Sequence, residues 1–128
     1  MDVPTGASFN LSDKFNGVIR RRLDRPEYAI VHTHNIEYLF IIRGSGRFVT
    51  GGTLIPPTID SDLYPEGSSL GPNGIVRSLH GIQGGLERQV GPGDVLIEPP
   101  GTPHWWKQIN GSVDYVELHM LPTDQKLH

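Results

Sequence analysis

Apolar positions along this chain come in short runs cut apart by glycine and proline, and within several runs they alternate with polar ones. Alternation is the period of a β-strand, whose successive side chains point to opposite faces. The pattern predicts strands over 18–23, 28–34, 37–42, 47–50, 53–55, 75–79, 86–90, 94–98, 104–109 and 113–120. Arg20, Arg21 and Arg22 mark the first of these as an edge or surface strand, whereas 94–98 looks buried. Asp24-Arg25-Pro26-Glu27, Arg43-Gly44-Ser45-Gly46 and Gly51-Gly52 read as turns, with 47–50 returning along 37–42 as in a hairpin. No stretch shows a convincing helical period. Residues 1–16 are polar and patternless. Residues 56–74 hold Pro56, Pro57, Pro65 and Pro72 and predict a long exposed loop, of the kind that serves as a lid or binding loop. Short strands separated by turn signals argue for an all-β sandwich or barrel. The expected layout is an N-terminal arm over 1–16, one barrel over 17–121 and a C-terminal tail over 122–128.

Composition narrows the chemistry more than the fold. A length of 128 residues suits one domain with a real core. The 16 glycines and 11 prolines make up about a fifth of the chain, less than disorder would show. A net charge of −3 gives no reason to expect nucleic acid or an anionic membrane as partner. There is no cysteine, so disulfides and thiolate ligands are excluded, and any metal must be held by imidazole and carboxylate. The start, MDVPTGASFN, has no basic segment followed by an apolar stretch, and the longest apolar run, 38–42, is far shorter than a bilayer span. A soluble cytoplasmic protein is expected.

Two histidine clusters stand out. The first runs His32-Thr33-His34-Asn35-Ile36-Glu37 and continues through apolar residues to Gly44. The second is Gly93 followed by Pro99-Pro100-Gly101-Thr102-Pro103-His104. In an extended strand His32 and His34 share a face and can reach toward one point, and a third histidine from a distant strand can complete a metal site. Glu37 falls on the opposite face by strict alternation, and a bulge at Asn35-Ile36 would return it inward.

These residues resemble the motifs of the cupin superfamily, small jelly-roll barrels of the double-stranded β-helix type. His32, His34, Glu37 and Gly44 match the first motif, although only Asn35 and Ile36 separate the second histidine from the acid. Gly93, Pro99, Gly101 and His104 match the second without a gap. Phe48-Val49-Thr50-Gly51-Gly52, Ile82-Gln83-Gly84-Gly85 and Pro103-His104-Trp105 resemble segments of a single-domain subgroup. The resemblance implies a metal held by His32, His34, Glu37 and His104, with Glu37 a ligand, a base just behind the ligands or a surface acid.

Three imidazoles and a carboxylate suit Fe, Mn, Ni, Co or Zn as the divalent ion, with open positions for substrate or dioxygen. By alternation Trp106 and Gln108 share the His104 face, where Trp106 either walls a substrate or packs in the core, while Trp105 packs outward. His80 can reach the pocket mouth. His119 and Glu117 share a face, either as pocket acid–base groups or at the surface. Arg20 to Arg22 either bind an anion or lie solvated on an edge strand. No glycine-rich loop precedes a helix and no serine has a paired base, so a phosphate cradle and a hydrolase triad are not supported. The expected protein is a metal-dependent enzyme acting on a small organic molecule, as an oxygenase or by Lewis-acid chemistry (isomerase, lyase, dehydratase or cyclase), and a homodimer. The alternative is a non-catalytic cupin that binds or senses a small ligand.

Overall fold

A computed structural model describes residues 7–12, 15–33, 35–61 and 75–120, with side chains over 17–33, 35–59 and 75–120. All the regular structure among the described residues is strand: β1 (Ala7–Ser12), β2 (Phe15–Leu23), β3 (Ala29–His32), β4 (Ile36–Thr50), β5 (Thr53–Leu54), β6 (Ile59–Ser61), β7 (Ile75–Ser78), β8 (Ile82–Gln83), β9 (Leu86–Val90), β10 (Val95–Glu98) and β11 (His104–Met120). Every pairing is antiparallel. The organising elements are the 15-residue β4 and the 17-residue β11, which pair from His104↔Thr50 to Met120↔Ile36.

Nine strands form one continuous antiparallel sheet, which the two long strands bend into facing halves, a first and a second sheet. The first half of β4 and the second half of β11 lie between β10 on one side and β2, then β1, on the other. The second half of β4 and the first half of β11 lie between β9 on one side and β3, β7 and β6 on the other. The chain passes from one sheet to the other where the β4–β11 register slips between Ile109 and Val113. Gly44 sits at this bend with φ +86°, and a Cβ there would overlap the Ser112 carbonyl oxygen. The glycines of 43–46, which the sequence pattern reads as a turn, therefore carry a strand around a corner by a bulge. The same reasoning fuses the expected strands 104–109 and 113–120 into one.

Between the sheets lies a core of Leu39, Ile41, Phe48, Leu96, Trp106, Val113 and Tyr115 with their neighbours. The short β5–β8 ladder covers the outer face of the second sheet over Ala29, Val49, Leu54 and Ile82, where Trp105 also packs. Three further expectations change. Residues 7–12 form β1, and so β2 with its three arginines is paired on both sides rather than an edge. Residues 59–61 form β6, so the segment 56–74 is not wholly loop; 62–74 lie outside the described residues. In β10 only Leu96 and Glu98 are buried, whereas Val95 and Ile97 are about half exposed (50% and 54%), the alternation of a strand with one covered face.

Candidate metal centre and its cavity

The site forms where the two sheets face each other. In the first sheet Glu98, Glu37 and His119 are direct cross-strand partners, a row of three polar side chains across β10, β4 and β11. All three are buried, and so is Glu117 one inward position back along β11. In the second sheet His32 ends β3 and His104 begins β11. The Pro-x-Gly turn brings these two together: the Gly101 amide donates to the His32 carbonyl at 2.9 Å, with Gly101 at φ +80°, a left-handed conformation that favours glycine. The His32 and His104 rings then stack with centroids 5.4 Å apart, and His119 meets His32 edge-on at 5.0 Å.

Three imidazoles converge on one carboxylate. The Nε2 atoms of His104, His119 and His32 lie 2.7, 3.3 and 3.4 Å from the Glu37 oxygens. Burial alone would raise the Glu37 pKa, but the charges and hydrogen bonds of His104 and His32 outweigh it and hold the carboxyl well below its usual range. Burial likewise disfavours a charged His104, yet Glu37 pushes that imidazole up to about 9. His119 is raised against burial by Glu117, 2.6 Å away, and by Glu37. Glu98 is pushed up to about 8 by burial and the neighbouring carboxylates, against the pull of His104.

The donor set fits a divalent transition metal. His32, Glu37 and His119 offer ligand atoms within 4.8 Å of one another, as do Glu37, Glu98 and His104. Both Glu98 oxygens and His32 Nδ1 are buried with no hydrogen-bond partner among the described residues, the mark of a site whose polar atoms await something further. Imidazole with carboxylate and no thiolate is the chemistry of Fe, Mn, Ni, Co or Zn.

A cavity of about 360 Å³ opens beside this cluster. His32, Glu37, His104 and Glu117 line one end, and Tyr28, Arg77, Trp105 and Trp106 line part of the rest. Arg20 and Arg22 also reach it. Alternation turns these two inward and Arg21 outward, where Arg21 grips Asp114 through two bonds of 2.8 and 3.0 Å. Arg20 pairs with Glu117 at 3.1 Å; Arg22 donates to the Tyr115 hydroxyl at 3.0 Å and lies 3.4 Å from Glu27.

The predicted site residues separate. His32, Glu37 and His104 come together, and Glu37 needs no bulge because β3 ends at His32 and a new strand begins at Ile36. His34, expected to share a face with His32, lies outside the described residues. On β3 it is Ile30 that shares the inward face with His32, and both line the cavity. Trp106 is buried, packed edge-on against Phe48 at 4.8 Å, and reaches the cavity wall. Gln108 does not share its face: the register slips between Trp106 and Gln108, and Gln108 is exposed and bonded to Asn110. His80 is exposed in the turn after β7 and does not line the cavity. Trp105 packs against the outer cluster, as alternation predicts, but also lines the cavity, where its Nε1 donates to the Glu27 carbonyl at 3.1 Å.

The inward placing of His119 and Glu117 is obscured in sequence by Val116, Leu118 and Met120, which make the opposite face of β11 look like the core face. Those three are only half-buried, while Tyr115, Glu117 and His119 are buried. Glu98 had one signal, its place as the last residue of an alternating strand directly before the Pro-x-Gly turn.

No family model and no curated protein sequence matches the chain. Solved structures do. The DMSP lyase DddQ of Ruegeria pomeroyi aligns at 18% identity and TM-score 0.54, over 94% of this chain and 49% of that one. The Cnp3 cupin domain of Schizosaccharomyces pombe aligns at 13% and 0.55, over 95% and 63%. A hydroquinone 1,2-dioxygenase crystallised with Cd2+ and 4-hydroxybenzonitrile aligns at 14% and 0.51, over 90% and 61%. This chain spans about half the first of these and under two thirds of the other two. The chain shares the fold of these structures, an all-β double-stranded β-helix, with a buried histidine–carboxylate cluster between the two halves of its nine-stranded sheet. Among the described residues no helix is long and apolar enough to cross a membrane.

Proposed function

We propose that the protein is a metal-dependent enzyme that moves a proton on a small organic molecule, as an isomerase, lyase, dehydratase or cyclase does. The observation that carries this reading is the convergence of the His32, His104 and His119 Nε2 atoms on Glu37, beside a cavity lined by a carboxylate and a phenol. These four residues would hold the metal, which supplies a Lewis acid to polarise a carbonyl of the ligand.

The chain's own groups supply the proton transfer. Glu117 lines the cavity, held by Arg20, and is placed to take a proton from the ligand. Tyr115 also lines it. Its oxygen accepts a hydrogen bond from Arg22, so its own proton is left to donate into the cavity toward developing negative charge. Burial, above all, raises the Tyr115 pKa and keeps that proton in place at neutral pH. Dioxygenase chemistry is the second reading, since the same donors suit Fe(II) and one structural neighbour is a dioxygenase.

Two measurements test this. Protein purified without an affinity tag should hold stoichiometric divalent metal by elemental analysis. In D2O, metal-loaded protein should exchange the α-proton of at least one small keto acid faster than metal-free protein does. Glu117→Gln should slow that exchange by about 10²–10⁴-fold with metal content unchanged. Oxygen consumption without exchange would select the dioxygenase reading. A bound ligand with neither would leave a binding module.

Metal uptake should also release protons. In the metal-free protein His104 titrates at about 9, so below that pH a metal must displace its proton. Apparent affinity should rise about tenfold per pH unit for each proton released and level off near pH 9. Calorimetry in buffers of different ionisation enthalpy should count at least one proton at pH 7; a pH-independent affinity between 6 and 8 would contradict the Glu37–His104 pairing.

A further inference from the structure

We infer that the cavity binds a small organic carboxylate, and that Arg77 is the residue that recognises its charge. The inference gives the proposed enzyme a substrate class and rests on this cavity being its ligand site, though not on the metal.

The cavity wall holds three arginines, and two of them are neutralised. Arg20 pairs with Glu117 at 3.1 Å, and Arg22 with Glu27 at 3.4 Å. Arg77 has no carboxylate partner among the described residues. Its Nε is buried without a hydrogen bond, yet the side chain lines the cavity. A ligand carboxylate in the cavity would therefore meet a guanidinium charge that no described carboxylate neutralises. The Arg77 guanidinium lies over the Tyr28 ring, 4.5 Å from its centroid, which fixes the plane of the fork while leaving its edge available. A carboxylate is the ligand group that this planar edge fits, through two parallel N–H bonds.

The register sets how far such a ligand reaches. Arg77 pairs with Ile30 across β7 and β3, and Ile30 pairs with His104 across β3 and β11. The Arg77 and His104 backbones are thus two strand spacings apart, about 10 Å. A molecule anchored by its carboxylate at Arg77 would extend over Ile30 and present its other end to Glu117 and the histidine cluster. The wall between is apolar and aromatic, with Trp105 and Trp106 among its members.

These are the chain's two tryptophans, so intrinsic fluorescence reports on the cavity. Full-length protein stripped of metal with a chelator is titrated with benzoate and with benzamide, its neutral isostere. Saturable fluorescence change is expected with benzoate, and binding of benzamide weaker by about tenfold or more. Arg77→Met should weaken benzoate by a similar factor and leave benzamide unaltered; Arg77→Lys, which keeps the charge but loses the fork, should fall between. Equal binding of the two probes, no saturable response to either, or unchanged benzoate binding by Arg77→Met would overturn the inference. The wild-type comparison decides even where a variant does not fold. Because no metal is present, failure here is separate from failure of the metal reading, which shows in elemental analysis.

Discussion

Replacing Glu37 by glutamine should reduce metal affinity by more than the roughly 10–100-fold that follows loss of a group behind the ligands. Glu37 is the one residue common to both potential donor groups, and three imidazole nitrogens lie within 3.4 Å of its carboxylate. Glutamine keeps the shape and removes the charge. The set then holds a divalent ion with neutral donors in a site from which water is largely excluded, where each lost charge counts most. His32→Ala, His104→Ala and His119→Ala should each lose a coordinate bond and weaken binding by a similar margin, as measured by competition with a chelator of known affinity. The barrel should keep its β-sheet circular dichroism throughout, because its core is the apolar contact between the sheets. His34→Ala belongs in the same series. If it lost the metal while His119→Ala kept it, the donors would be the histidine pair that the sequence motif implies, with His119 outside the set.

The largest loss of stability should come from Phe48→Ala. Phe48 is fully buried and lies between the sheets, edge-on to Trp106 at 4.8 Å and roughly parallel to His104 at 6.1 Å. Truncating a buried phenylalanine costs about 3–5 kcal/mol through lost transfer energy and the cavity left behind. That is a large share of the roughly 5–15 kcal/mol by which such a domain is stable. Urea denaturation at unchanged slope should show it, with Phe48→Leu losing under about 1.5 kcal/mol. Since Phe48 backs His104, Phe48→Ala should also weaken metal binding although it touches no donor atom. A loss below about 1 kcal/mol would mean that the space between the sheets is not the principal core.

The sequence by itself determined the all-β class, most of the strands and half the cluster. Alternation and glycine–proline punctuation are local signals, and the Pro-x-Gly turn that aims His104 is a local device. His32, Glu37 and His104 were legible because they lie in such patterns. What the tertiary structure decided was which face of each strand is inside and where strands continue. At Gly44 the chain bends by a bulge rather than turning, and only the approach of the Ser112 carbonyl from β11 requires that. The bulge after Trp106 turns Gln108 outward, against alternation. His119, Glu117 and Glu98 became site residues because β10, β4 and β11 stand side by side in one register, a non-local fact. Arg20, Arg22 and Arg77 became cavity residues in the same way, since β2 and β7 are brought to one space only when the two sheets close on each other. A strand's period fixes that alternate residues differ in face, but the partner strands and the covering sheet choose the face that is buried.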